Sequence, residues 1–365
     1  MFIMTDLKAL REQLTDVDMQ IIDLIHQRQS LSKKIGSIKR KAGKPTRDFL
    51  REKQVLELAA DHAEKLNMQP DVIVDVMQLL IKSSLRTQEK ARVQEEGQGS
   101  GQSALVIGGA GRMGNWFVEF LKSQGFEVLI ADPKAECDEV STFASWKTLE
   151  DDFDITVVAA PLRESLTILN EILEKGRSGL IFDIGSLKSP LKKTLWQMSE
   201  KGIKITSIHP MFGPQTDLLT GKHIIFMDVG STESLQKAQK LFESTTAQQI
   251  EMSLENHDYA ISYVLGLSHV LNIAFAKVLS SSGENKNLLS NLSSTTFKDQ
   301  LDVAKRVTDE NPHLYYEIQY LNKFSLKTIS ELSNAIKEIF DFISSGDEDK
   351  FVQLMEQGRS YFSEK

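Results

Sequence analysis

The 365-residue sequence has one cysteine, Cys137, and only eight prolines. A single cysteine excludes an internal disulfide and a metal site built from cysteines alone, and it suggests a reducing compartment. No apolar run approaches about 18 residues, so no transmembrane helix is expected. The N-terminus turns polar at Thr5, so no signal peptide is read and a cytoplasmic location is expected. Between Thr5 and Lys41 there is no proline and one glycine, Gly36, so little there can break a helix.

What is present is ordinary for a folded chain: 41% hydrophobic and 26% charged residues. The length suggests two or three domains. The net charge of −8 is unevenly spread. Residues 1–92 carry 17 Lys and Arg against 13 Asp and Glu, and the remainder carries 26 against 38. A basic first part points to an anionic partner. The basic run from Lys33 to Arg47 has no interleaved aromatics, so no nucleic-acid partner is expected.

The signal that organises the chain is Ala104 to Gly114. Ala104 to Ile107 reads as a buried strand. Gly109, Gly111 and Gly114 then fit G-x-G-x-x-G, and an amphipathic run from Met113 to Leu121 follows. Strand, tight turn and helix form a dinucleotide site, with Gly109 making the turn and Gly111 admitting a pyrophosphate to the backbone. The helix start, with Arg112 and Met113, faces the phosphates. Asp132 ends the next apolar run, where its carboxylate accepts ribose hydroxyls and repels a 2′-phosphate. The expected cofactor is therefore NAD. Buried strands at Ile155 to Ala159, Leu180 to Ile184 and Ile203 to Ile208 alternate with helices, giving a doubly wound parallel sheet. Pro161, Ser186 and His209 follow those strands and should line one crevice with the glycine turn.

Upstream, Leu7, Leu10, Leu14, Val17, Ile21, Leu24, Leu31, Ile35 and Ile38 recur at helical spacing. They predict one helix of roughly 50 Å at 1.5 Å per residue. Two shorter helices follow, about 47–66 and 70–92, and cannot cover it, so this module should dimerise. Arg28 and Lys39 share a face, as do Asp48, Arg51 and Glu52, and Ser84 with Gln88. Arg11 lies about 25 Å along the axis from Arg28, within reach only from a partner chain. Gln94 to Ser103 is polar and glycine-rich and reads as a flexible linker. From Leu254 onward the pattern is helical.

The set Arg11, Arg28, Lys39, Asp48, Arg51, Glu52, Ser84 and Gln88 resembles the all-helical chorismate mutase domain. His209-Pro-Met-Phe-Gly-Pro214, Asp183-Ile-Gly-Ser-Leu-Lys188, Glu255-Asn-His-Asp258 and Leu289 to Lys298 resemble prephenate dehydrogenase. The whole chain thus looks like the bacterial bifunctional chorismate mutase–prephenate dehydrogenases. The resemblance implies a helical mutase domain over 1–92, a linker over 93–103, a Rossmann domain over 104–252 and an all-α dimerisation domain over 253–365. It implies that Arg11 and Arg28 hold carboxylates, that Lys39 and Gln88 donate to the ether oxygen of chorismate, and that Glu52 takes the ring hydroxyl. Asp48, Arg51 and Ser84 complete that site. In the second site it implies His209 as base, Ser186 as a hydrogen-bond partner, Lys188 nearby, and His257 and Lys298 toward the substrate. Homodimers, and tyrosine as a feedback ligand, are further implications. His269 lies twelve residues beyond His257 on the same helix, while His26, His62, His223 and His313 read as structural.

Lys298 stands where the family has an arginine, and lysine lacks the planar fork. Amino-substituted substrates, 4-amino-4-deoxychorismate and 4-amino-4-deoxyprephenate, therefore remain an alternative. So do a dehydrogenase that uses residues 1–92 only to dimerise, and an NAD-binding regulator without turnover.

Overall fold

The computed structural model describes residues 2–136 and 141–363, so Cys137 lies outside the described residues. The chain divides into two compact units: residues 1–160, 175–184 and 198–251, and residues 161–174, 185–197 and 252–365.

The first unit opens with three helices, α1 (Phe2–Lys41), α2 (Phe49–Lys65) and α3 (Pro70–Glu96). Asp48 caps α2 by accepting from the Arg51 N–H at 3.0 Å, and Pro70 starts α3, where a missing N–H costs nothing. The second half of α1 runs parallel to α3. Arg28 meets Ser84, Ser32 meets Gln88, and Arg40 pairs with Glu95 at 2.6 Å. Gly36 is the glycine this contact requires, because a Cβ there would lie 2.8 Å from Gln88 Cγ. The apolar stripe of α1 has no such cover in either half: Leu10, Leu14, Leu24 and Leu31 are each about 60% exposed.

Of the linker expected over 93–103, residues 93–96 are the last turn of a helix and residues 97–102 form a short turn. α3 continues through Glu96, and Val93 joins the apolar core of the sheet. The remaining turn is tied down: the Gly99 N–H donates to Gln124 O at 3.0 Å, and a Cβ on Gly99 would collide with Phe126. Polar, glycine-rich composition reads as flexible, yet here the glycines permit close packing.

The sheet has eight strands in the order β3-β2-β1-β4-β5-β6-β7-β8. They are β1 (Ser103–Ile107), β2 (Glu127–Ala131), β3 (Thr142–Phe143), β4 (Ile155–Val158), β5 (Leu180–Asp183), β6 (Ile205–Pro210), β7 (His223–Met227) and β8 (Gln248–Glu251). Six strands, β3 to β6, are parallel as expected. β7 departs from the expected parallel sheet by running antiparallel to β6, with His209 opposite Ile225, and β8 runs parallel to β7. α4 (Arg112–Ser123) packs its apolar side on the sheet. Trp116, Phe117 and Phe120 lie there, with Phe120 stacked on Phe242 at 4.9 Å. Each fully buried phenylalanine stabilises this core by about 2–3 kcal/mol.

The second unit holds α5 (Leu162–Lys175) and the segment after β5 that leads into α6 (Lys192–Glu200). Its helices continue with α8 (Leu254–Ile261), α9 (Ser268–Ser281), α10 (Lys286–Asn291), α11 (Thr295–Thr308), α12 (Pro312–Tyr320), α13 (Ser325–Ser345) and α14 (Glu348–Ser363). α7 (Thr232–Lys240) belongs to the first unit. One π-helical turn, Ser262–Leu267, joins α8 to α9. By length and composition alone Leu254–Ser281 is apolar enough to cross a membrane, a property that the core helix of a folded protein shares. Two of its polar side chains bond within the unit: Ser262 accepts from Thr328 Oγ1 at 3.1 Å, and Asn272 Oδ1 accepts from Gln300 at 2.8 Å.

Candidate active sites

The helical domain gathers most of its expected residues along the α1–α3 seam. Arg28 is half-buried, and its Nη1 donates to Leu80 O at 2.8 Å and to Ser84 Oγ at 2.6 Å. Burial draws its pKa below the usual arginine value. Arginine nevertheless stays charged, so the seam holds a fixed cation. One turn further on, Gln88 is buried, and both its amide hydrogens go to Ser32, at 3.0 Å to O and 2.7 Å to Oγ. Its Oε1 has no hydrogen-bond partner among the described residues. Donation from Gln88 to a ligand therefore requires the amide to turn, a motion that would relieve its unsatisfied oxygen. Lys39 Nζ donates to Thr46 O at 3.1 Å, which folds its ammonium back over the α1–α2 turn.

Three expected residues have other occupations. Asp48 Oδ1 caps α2, and Arg51 is exposed and donates to Gln54 Oε1 at 3.5 Å. Glu52 pairs with Arg47 at 3.0 Å, an arginine the sequence reading passed over because it lay in a run of surface-like cations. Arg11 is exposed on the first half of α1.

At the glycine turn the strained residue is Gly108 rather than Gly109. Gly108 has φ +87°, and a Cβ on it would sit 2.8 Å from the Ala159 backbone. Gly109 packs against Ile130. Gly111 is the N-cap of α4 and makes no side-chain cap hydrogen bond, and the start of such a helix suits an anion. Gly114 is needed for closure, because a Cβ there would lie 2.0 Å from Gly108 O. Met113 packs on the sheet core and Arg112 is exposed. Asp132 is buried beside this turn, accepting from the Ala110 N–H at 3.1 Å and the Lys134 N–H at 2.9 Å. Each carboxylate oxygen can accept a second hydrogen bond. A missing Cβ at the helix start, an uncapped helix N-terminus and a carboxylate held by backbone amides together fit a dinucleotide.

His209 lies within β6 rather than after it, is 5% exposed, and belongs to this same unit. Two residues earlier, Ser207 Oγ donates to the buried Asp183 at 2.5 Å, which ties β5 to β6.

Pro161, Ser186, Lys188, His257 and Lys298 belong to the second unit. There the organising residue is Asp258, which was not singled out by sequence. It accepts from the backbone of Lys188 at 2.9 Å and of Ser189 at 2.5 Å, and from the Ser189 hydroxyl. Burial raises its pKa, but hydrogen bonds from His257, Ser189 and Lys188 outweigh that and leave it below the usual carboxylate range. His257 differs from its expected place toward substrate: it is wholly buried, with Nδ1 2.8 Å from Asp258. His269 has the more open chemistry. Its Nδ1 has no hydrogen-bond partner among the described residues, its ring stacks on Tyr315 at 3.9 Å, and burial pushes its pKa down to about 4. Ser186 is half-buried, while Pro161, Lys298 and Arg306 are exposed.

Residues 10–89 match the family "chorismate mutase type II". Residues 125–251 match the prephenate dehydrogenase nucleotide-binding domain, and residues 253–357 the prephenate dehydrogenase dimerization domain. The T-protein of Enterobacter agglomerans is 24% identical over 364 residues, 98% of this chain and 94% of that protein. The T-protein of Haemophilus influenzae is 23% identical, covering 100% of this chain and 94% of that one. A prephenate dehydrogenase from A. aeolicus, solved with hydroxyphenyl propionate and NAD+, has the same fold over 71% of this chain and 96% of its own, with TM-score 0.58 at 22% identity.

Proposed function

Since the chain belongs to the prephenate dehydrogenase family and carries a chorismate mutase type II domain ahead of it, we propose that it converts chorismate to prephenate and then oxidises prephenate to 4-hydroxyphenylpyruvate. Both steps belong to tyrosine biosynthesis. The observation that carries the reading is the company of two unlike sites in one chain. One is a seam of cationic and amide donors, Arg28, Lys39 and Gln88. The other is a glycine turn with its ribose carboxylate.

The first reaction is unimolecular and needs positioning and charge stabilisation, without a base or nucleophile. Arg28, supported by Ser84 and Leu80, holds a carboxylate. Lys39 and the turned amide of Gln88 donate to the ether oxygen as its bond breaks. Glu52, steadied by Arg47, accepts from the ring hydroxyl. Arg11 comes from the partner subunit of a homodimer, and the uncovered apolar face of α1 supports that arrangement.

For the second reaction, bound NAD supplies the hydride acceptor. Gly111 and the start of α4 hold its pyrophosphate, and Asp132 selects it over the 2′-phosphorylated form. His209 takes the proton of the C4 hydroxyl as the C4 hydride leaves. CO2 is lost from C1 and the ring becomes aromatic. A neutral imidazole suits that role near pH 7. Ser186 orients the hydroxyl, and Lys298 meets a substrate carboxylate.

The test is separation of function. Lys39→Ala should lower mutase turnover by about a hundredfold or more, an effect of the size electrostatic donors supply, and leave the dehydrogenase unchanged. His209→Asn should do the reverse. An unchanged mutase rate in Lys39→Ala refutes the helical site. Parallel assays with 4-amino-4-deoxyprephenate and with NADP decide the substrate and cofactor assignments.

A further inference from the structure

Helix α3 buries two faces about 100° apart, the angle between successive residues. Ser84 and Gln88 face α1. Leu85, Glu89 and Val93, each four residues apart and each buried, occupy the neighbouring face. Val93 enters the sheet core. Glu89 is 4% exposed, and a carboxylate so buried is costly unless fully hydrogen-bonded. It is well supplied. The Leu219 N–H donates to Oε1 at 2.7 Å, the Thr246 N–H donates to Oε2 at 3.0 Å, and the Thr246 hydroxyl also donates to Oε2.

Those donors sit in telling places. Leu219 lies in the loop that leaves β6 just after His209 and returns as β7. The same loop is held again at Thr216, whose O accepts from Trp116 Nε1 at 2.9 Å, and Trp116 is on the helix that starts at the glycine turn. Thr246 leads into β8 and bonds Thr220 of the loop at 2.6 Å. One carboxylate, adjacent in sequence to Gln88, thus fixes both the rotation of α3 and the anchorage of the loop beyond His209.

We infer that Glu89 is a positioning residue for the mutase reaction, latching α3 to the nucleotide-binding domain so that Gln88 and Ser84 keep their aim. The inference rests on the mutase activity proposed above. Glu89→Gln is the sharp variant. Both carboxylate oxygens are acceptors, so an amide of the same shape must set an NH2 against at least one N–H. In the full chain, assayed well below its melting temperature, Glu89→Gln and Glu89→Ala lower mutase kcat about tenfold, one order of magnitude being about 1.4 kcal/mol. KM for chorismate stays within about twofold, the split expected when transition-state stabilisation is lost more than ground-state binding. Hydrogen exchange at the Leu219 and Thr246 amides speeds up. Thr246→Val, a milder change, lowers kcat in the same direction, and Thr246→Ser restores it. If the Glu89 variants melt earlier but retain kcat within twofold, the role is only structural and the inference is overturned. Should those variants fail to fold, an unchanged kcat in Thr246→Val overturns it equally. A wild-type chain inert toward chorismate would defeat the functional reading instead, and amide exchange would still judge the latch.

Discussion

Single atoms decide much of the chemistry here. The nucleotide turn closes only because Gly114 has no Cβ, since one there would lie 2.0 Å from Gly108 O. Gly114→Ala should therefore force the turn open and weaken NAD binding at least about tenfold, roughly 1.4 kcal/mol, with mutase turnover unchanged. Titration of NAD by fluorescence quenching reads this directly, and unaltered affinity would refute the placement of the pyrophosphate. His269 sets a pH dependence of stability. Its pKa in the folded chain is about 4 because burial disfavours the cation, whereas an unfolded histidine titrates near 6.5. The unfolded state thus binds more protons between those values. The stability associated with neutral His269 is present above about pH 6.5 and is lost as pH falls toward 4. His269→Gln should flatten that part of the denaturation midpoint's pH profile, and a profile identical to wild type would show that other groups produce it. Residues that pattern could not assign were those whose chemistry serves two ends. Asp48 is equally suitable as a ligand or as a helix cap, and α2 uses it as a cap. Glu89 looks like one more surface carboxylate on a charged helix until its three donors are seen.

Among the elements, helices were far more legible than strands. Apolar spacing placed α1 and the start of α4 because the pattern repeats over several turns. It could not tell that the second half of α1 meets α3 through Arg28, Ser32 and Arg40, since both halves carry the same stripe. β8 is only Gln248–Glu251, an edge strand with mostly polar residues, so it has no alternation to read. His209 was expected just past its strand, but pairing with β7 extends β6 to Pro210. The second unit kept its polar centre hidden for a related reason: Asp258 collects backbone donors, which no side-chain pattern announces. At this scale the α2 cap is the cleanest test. Asp48→Ala removes the acceptor for the Arg51 N–H and should cost about 1 kcal/mol, seen as a lower denaturation midpoint. Mutase turnover should fall by less than about threefold if Asp48 acts only as a cap. A collapse of turnover at unchanged stability would return Asp48 to the substrate.

For the whole molecule, the uncovered stripe of α1 is the strongest statement the chain makes about assembly. Eleven large apolar residues from Leu7 to Ile38 remain about half or more exposed, a patch that soluble surfaces seldom carry without a partner. Leu24→Lys should place a charge in the proposed mutase interface and lower mutase turnover by about a hundredfold or more, since loss of Arg11 removes an electrostatic donor. The dehydrogenase should survive, and sedimentation should still report a dimer held by the C-terminal domain. A Leu24→Lys protein with full mutase activity would mean that the stripe serves some other contact.

The double-faced helix α3 also bears on how such a fusion can be inherited. Two enzymes joined by a loose tether can be cut apart and reshuffled at almost any nucleotide of the tether. Here the seam runs through the interior of both partners. A break before Val93 strips a plug from the sheet's core, and a break after it leaves the first domain carrying the other's plug into water. The pair should therefore travel through recombination as one piece, and any descendant that sheds the first domain must rebuild the surface that Glu89 and Val93 now cover.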